Sequence, residues 1–189
     1  YTYTGSVSDG VAFAATSTET YTVTGTDANG CSNTSDITIT VNDAPTVTAA
    51  SDATNNSLCG TGDVILTAGG NAVSYSWDNL VVDGVAFIAT STNTYTVTGI
   101  DAIGCENTAA ITITVNSIPT VSVTSDDTDN TVCENTMVTL TGVGAETYTY
   151  TGSVSDGVAF AATSTETYTV TGTDANGCSN TSDITITVN

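Results

Sequence analysis

The sequence predicts an all-β chain, a linear array of antiparallel β-sandwiches, on three observations. Residues Tyr1–Asn42 recur letter for letter as Tyr148–Asn189. Short runs such as Ile184-Thr185-Ile186-Thr187-Val188 and Tyr168-Thr169-Val170-Thr171 alternate apolar with polar residues, and no 3.6-residue pattern is present. Gly, Asn and Asp turn signals fall between these runs at intervals of about 8–12 residues, the rhythm of a sandwich.

The identity between the two ends is too complete to come from a shared fold. A fold constrains core positions and tolerates drift on the surface, so the identity marks duplication within a tandem array. A weaker repeat lies inside it. Cys31, Cys105 and Cys178 each follow a D-A-x-G turn and are almost evenly spaced along the chain. Each is preceded by T-Y-T-V-T-G and followed by an alternating run ending in V-N. Pro45 and Pro119 open the two full units. The expected organisation is therefore one unit over 43–116, a second over 117–189, and the back part of a third over 1–42, whose front strands are expected to lie outside this stretch.

Within 117–189 the strands are expected near Thr120–Thr124, Met137–Gly142, Thr147–Thr151, Val158–Ala161, Thr167–Thr173 and Thr181–Val188, with a short extra strand at Thr131–Cys133. Thr on the wet face is β-branched and fits a strand without adding apolar surface. Gly152 and Asp156-Gly157 mark the middle turns. Asn176-Gly177 reads as a two-residue type I′ hairpin joining the last two strands. Trp77 lies on the third strand of its unit, Tyr150 takes the same place in the next, and Tyr95 and Tyr168 lie early on the penultimate strand. Core aromatics at these places suit an immunoglobulin-like sandwich.

Composition excludes much. The chain has 20 acidic residues and no Lys, Arg or His, for a net charge of −20. Without cations it cannot grip a phosphate backbone, so no nucleic-acid partner is expected. A polybasic membrane contact is excluded too. No stretch approaches the ~20 apolar residues that span a bilayer. No catalytic His or Lys exists, Lys–Asn isopeptide cross-links are impossible, and no carboxylate pair stands apart from the repeat pattern, so no catalytic residue is expected. Hydrophobic content of 39%, placed periodically, still allows each unit a core. The acidity reads first as solubility and self-repulsion.

The motifs P-T-V-x-V, V-C-E-N-T-M-V-T-L-T, D-G-V-A-F and T-Y-T-V-T-G-T-D-A-N-G-C-S-N-T resemble the immunoglobulin-like repeats of giant secreted cell-surface proteins of Bacteroidota, whose best-known relatives are gliding-motility adhesins of the SprB type. The resemblance runs along the whole chain. It implies export through the type IX secretion system, an extracellular place attached to the outer membrane, neighbouring repeats as the immediate partners, and a surface or glycan ligand at a distal tip. The function expected is a stalk segment of an adhesin filament. A structural coat, or spacer repeats of a secreted enzyme, are the alternatives.

Five regularly placed cysteines point to an oxidising compartment. Two pairings stay open. Bonds within units would be Cys59–Cys105 and Cys133–Cys178, each closing a loop of about 45 residues and stabilising a small domain by about 4 kcal/mol. A bond between units would be Cys59–Cys178. The early cysteine precedes the second strand and is expected near a unit's exit end, whereas the late cysteine follows the last hairpin's turn and is expected near the entry end. Cys31 is expected to bond to a cysteine outside this stretch. Asp126, Asp127 and Asp129 bring three carboxylates close together in sequence, a candidate Ca²⁺ site of hard oxygen ligands, although the loop lacks the Gly and terminal Glu of an EF-hand. No other cofactor is expected. Asn33, Asn55 and Asn180 begin N-glycosylation triplets.

Overall fold

The computed structural model describes residues Tyr1–Asn189. It is all-β, with one short 3₁₀ turn at Thr54–Asn56 and no α-helix. Residues 1–42 form a single sheet of β1 (Thr2–Tyr3), β2 (Glu19–Thr26) and β3 (Ser32–Ile39), in that order.

The next stretch forms β4 (Val47–Ser51), β5 (Ser57–Cys59), β6 (Gly62–Gly70), β7 (Ser74–Trp77), β8 (Ala86–Ala89), β9 (Asn93–Ile100) and β10 (Glu106–Asn116). They make two facing sheets, β4-β6-β8 and β5-β10-β9-β7. The chain opens in one sheet and crosses to the other. β4 pairs antiparallel with β6, whereas β5 pairs in parallel with the end of β10, Cys59 opposite Asn116. Asn55 and Asn56, at φ 53° and 55°, make the crossing; asparagine tolerates this left-handed region better than most residues. This is the strand order of an immunoglobulin-like sandwich.

The last stretch repeats it with β11 (Ser122–Ser125), β12 (Thr131–Val132), β13 (Thr136–Val138), β14 (Leu140–Val143), β15 (Thr147–Tyr150), β16 (Phe160–Ala162), β17 (Glu166–Thr173) and β18 (Ser179–Val188). β11 pairs with β14 and β13 with β16, while the second sheet runs β12-β18-β17-β15. β12, anticipated as a short extra strand, is the parallel partner of β18.

Three expectations need correction. The strand expected over Met137–Gly142 is divided at Thr139, so its first half serves β16 and its second β11. The strand expected at Val158–Ala161 begins later, at Phe160, because Val158 closes a turn by donating its N–H to the Ser155 carbonyl at 3.2 Å. The hairpin at Asn176-Gly177 is not type I′. Only Gly177 has positive φ, 80°, and the connection runs from Asp174 to Cys178, between the paired Thr173 and Ser179. Asp174 sets it: its carboxylate accepts the N–H groups of Asn176 and Cys178, and its carbonyl accepts that of Gly177. An Asx turn therefore builds the bend, with glycine in its left-handed position.

Each full unit buries one core. The first gathers Val64, Leu66, Val81, Ala89, Tyr95 and Ile113, and the second Val132, Val138, Leu140, Ala162, Tyr168 and Ile186. Apart from Val81, in the loop between β7 and β8, these residues come from facing strands. The intervening threonines pair across the wet face, as Thr94 with Thr112 at 2.8 Å and Thr167 with Thr185 at 2.7 Å. No charged or polar side chain is buried. The glycine of T-Y-T-V-T-G has a packing reason. A Cβ at Gly172 would lie 2.7 Å from Val121 and 2.8 Å from Ala145, so only glycine lets the entering chain lie against β17.

Candidate functional site

The site that the fold builds is the junction between the two full units. β5 ends at Cys59 beside the last residue of β10, which places this cysteine where the chain leaves its unit. Gly60 fixes the end of β5 by donating its N–H to the Asn116 carbonyl at 2.7 Å. Cys178 lies in the turn between β17 and β18, where the chain enters the next unit. Asn180, just beyond it, donates its side-chain N–H to the Pro119 carbonyl at 3.0 Å and ties this turn to the linker. Asn107 holds Pro45 in the same way at 2.9 Å.

Cys59 and Cys178 are bonded, with Cα atoms 5.3 Å apart and a sequence separation of 119. Of the two pairings left open by the sequence, the structure forms the one across the junction, so Cys59–Cys105 and Cys133–Cys178 do not occur. The reason is topological. Within a unit the early and late cysteines stand at opposite ends of a sandwich, too far apart for a bond that needs Cα atoms within about 7 Å. Cys31, Cys105 and Cys133 are free. The linker packs closely against the bonded end. Gly60 has φ 69°, and a Cβ there would lie 2.9 Å from Ile118 Cδ1.

The candidate Ca²⁺ residues have other partners. Asp126 accepts the Thr139 N–H at 2.9 Å while its own N–H goes to the Thr139 carbonyl. The N–H that Thr139 donates to it is the main reason its carboxyl lies below the usual carboxylate range. Asp52 makes the same exchange with Ile65 in the preceding unit, at 2.8 Å, so this carboxylate extends the pairing of the two strands as the chain leaves the first sheet. Asp127 accepts the N–H groups of Asp129 and Thr131, and Asp129 also accepts that of Thr131. The three carboxylates do not converge, and no group of three or more potential metal-ligating side chains is assembled. The cluster instead shapes the crossing from β11 to β12.

One constellation escaped the sequence reading. The aspartate of each D-G turn receives the polar tip of the aromatic on the strand before it (β7, β15 and β1): Trp77 Nε1 donates to Asp83 at 3.0 Å, Tyr150 Oη to Asp156 at 2.8 Å and Tyr3 Oη to Asp9 at 2.6 Å. In the full units the same carboxylate accepts a backbone N–H from the opposite sheet, Ala68 for Asp83 and Gly142 for Asp156. The aspartate thus braces the two sheets. The constant spacing from aromatic to aspartate in all three stretches was the signal that could have revealed it.

No protein-family model matches the chain. No curated protein matches it. Solved structures similar in fold include a Ca²⁺-stabilized adhesin that helps an Antarctic bacterium reach out and bind ice, at 19% identity and a TM-score of 0.35, covering 92% of this chain and 57% of that one. A 1.5-MDa bacterial ice-binding adhesin aligns at 17% identity and a TM-score of 0.33, over 90% of this chain and 74% of that one. Extracellular cadherin domains 3–6 of protocadherin gamma B2 align at 10% identity and a TM-score of 0.25, over 92% and 57% of the two chains. The chain thus spans little more than half the length of the first of these. No helix is long and apolar enough to cross a membrane.

Proposed function

We propose that this chain is a stretch of the filament of a secreted cell-surface adhesin, and that its work is mechanical: it holds a distal binding tip away from the cell during attachment or gliding. The observation that carries this reading is the bond between Cys59 and Cys178 across a unit junction. A bond inside a unit would stabilise that unit alone. A bond between units fixes the angle of a hinge, which matters only to an object whose length and stiffness are its function. Short linkers without glycine and a surface without a single Lys, Arg or His support the same reading. The resemblance of the sequence motifs to repeats of gliding adhesins supplies the finer expectation of outer-membrane attachment and export by the type IX route.

Live imaging of producing cells with a fluorescent antibody raised against the repeat tests it. Label that travels along the cell body and halts where it meets glass supports a propelled adhesin. Label fixed in static fibres would replace that reading with a structural coat. Label released with a soluble hydrolase would replace it with a spacer.

A further inference from the structure

The cysteine spacing and the one bond formed combine into a property of the whole array. The segment from Cys31 to Cys59 is as long as the segment from Cys105 to Cys133. Cys31 and Cys178 are equivalent positions in the two identical stretches. Because Cys59 is bonded to Cys178, two covalent routes lead from Cys31 to Cys178. The backbone route follows the whole chain between them. The other follows only the short segment Cys31–Cys59 and one disulfide.

We infer that the bond recurs at every junction, each early cysteine to the late cysteine of the following unit, and that the resulting staggered ladder is a strain limiter. The three free cysteines fit the rule. Cys31 and Cys105 are late cysteines whose partners belong to units preceding theirs, and Cys133 is an early cysteine whose partner belongs to a unit following it. Cys31 and Cys133 are exposed and Cys105 is half-buried. Forming each bond removes one proton and one electron from each of two thiols. A small-molecule disulfide of the glutathione class accepts them and is reduced to two thiols.

The consequence is set by chain geometry. Pulled straight, the short route of about 28 residues reaches about 100 Å, whereas the backbone route of about 147 residues reaches about 500 Å. Two folded units end to end, judged by strands as long as the 11-residue β10, occupy about 70 Å. A laddered filament therefore becomes taut at about 1.4 times its folded length, and an unlinked one at about seven times. Beyond that point tension runs through the short segments and the sulfur atoms. Between Cys59 and Cys178, strands β6 to β9 and β13 to β17 are bypassed, whereas β10 to β12 lie in the next short segment, Cys105–Cys133. The bypassed strands then need not resist force, which lets units of about 73 residues, small for a stable core, serve in a load-bearing fibre. The inference rests on the filament reading only in taking the units as tandem; where the filament sits on the cell does not enter it.

The test is single-molecule stretching of the full chain held at its two ends, before and after reduction. Oxidised chains should stop about 400 Å short of the reduced contour length, because the chain between the bonded cysteines, a separation of 119, stays out of the load path. A second chain, extended at its end by one further period (Asp43–Asn189 repeated), tests recurrence. The added period should contribute about 100 Å oxidised and about 500 Å reduced. The other junction type does not change the contour length and is read chemically: peptides cut at acidic residues should join Cys133 to the late cysteine of the first added unit, and their absence would overturn recurrence at every junction. Equal contour lengths with and without reductant in the first chain would remove the bond from the load path. The expected shortfall there, combined with an added period that extends fully while oxidised, would overturn the ladder and leave a single cross-link. Neither result depends on the cell imaging.

Discussion

Tyr1–Asn42 and Tyr148–Asn189 have one sequence and two structures. In the second copy Val170, Cys178 and Ile186 are wholly buried and Ala162 is 1% exposed. In the first copy the same residues are Val23, Cys31, Ile39 and Ala15, and none of them is buried. The backbone differs as well. Phe160–Ala162 is a strand because β13 lies beside it, whereas Phe13–Ala15 has no such partner and forms none. β18 runs on to Val188 where β12 pairs with it, and β3 stops at Ile39. Other features are common to both: the register from Glu19↔Ile39 to Thr26↔Ser32, the Asx turn at Asp27, and the edge-on ring pair Phe13–Tyr21 at 5.2 Å, against 5.1 Å for Phe160–Tyr168. The hairpin, its turn and its ring pair are thus local, encoded within the repeated stretch itself. Burial, strand ends and the disulfide are contributed by residues preceding it.

The first copy shows what is missing. Tyr3, Val7, Phe13, Tyr21, Ile37 and Ile39 line an apolar hollow of about 190 Å³. Their equivalents, Tyr150, Val154, Phe160, Tyr168, Ile184 and Ile186, all pack in the closed core, where Val132, Val138 and Leu140 join them. Fusing a copy of residues 117–147 ahead of Tyr1 should close this face. The largest effect expected is on hydrogen exchange, with the Val23 and Ile39 amides gaining more than about a thousandfold in protection and approaching Val170 and Ile186. Because the two copies are identical, the measurement needs segmental isotope labelling. Unchanged exchange in the fused chain would mean that the copies differ for a reason other than the missing strands.

Core truncation sharpens the same comparison in the unaltered chain. Ile186→Ala removes a side chain with no exposed surface, so the unfolding transition of the last unit should lose about 3 kcal/mol. Ile39→Ala is the same chemical change at a half-buried place beside the hollow, and should move no transition by more than about 0.5 kcal/mol. Denaturant melts followed by tyrosine fluorescence would separate them. Equal losses would contradict the claim that burial is conferred by the front strands.

These contrasts show how much was legible beforehand. Alternation of Thr with Val and Ile revealed β17 and β18 almost to their ends, because their pairing is a local hairpin and their faces differ in wetness. The place of each cysteine at an entry or exit end was also legible, since it follows from strand order alone. Whether the bond across the junction can close was not. It depends on how closely two units abut, which Gly60 and Ile118 decide together although they belong to different units. The acidic cluster was legible only as composition, which reports how many carboxylates a segment has and not which backbone N–H groups they face. Asp126 is taken by Thr139, and the equivalent exchange at Asp52 could be recognised only once both units were superimposed on one strand order. β6 serves two partners in the same way and stays continuous, so two partners do not explain the split of the second strand at Thr139, and no residue in Met137–Gly142 announces it.

The smallest effect concerns the phenol that braces the sheets. Tyr150 donates to Asp156, which also accepts the Gly142 N–H from the opposite sheet, whereas Tyr3 makes the same bond to Asp9 with no opposite sheet to brace. Burial first, then the bond to Asp156 and its negative charge, raise the Tyr150 pKa well above the ordinary tyrosine value. The folded state therefore holds this proton more tightly than the unfolded state does. Its contribution to stability is complete below about pH 10, where unfolded tyrosine titrates, and is lost as pH rises toward the elevated folded value. Tyr150→Phe should lower the stability of the last unit by about 1 kcal/mol at neutral pH and flatten its decline above pH 10. Tyr3→Phe should change the melt and its alkaline limb much less: the bond to Asp9 raises the Tyr3 pKa too, but this phenol stands exposed in the open copy. Melts of the two variants at pH 7 and through the alkaline range decide the point. If both changed the melt alike, the bond would be acting within the aromatic's own loop. If only Tyr150→Phe does, the carboxylate's second partner across the sandwich gives the brace its effect, and the identical pair in the open copy is the built-in control.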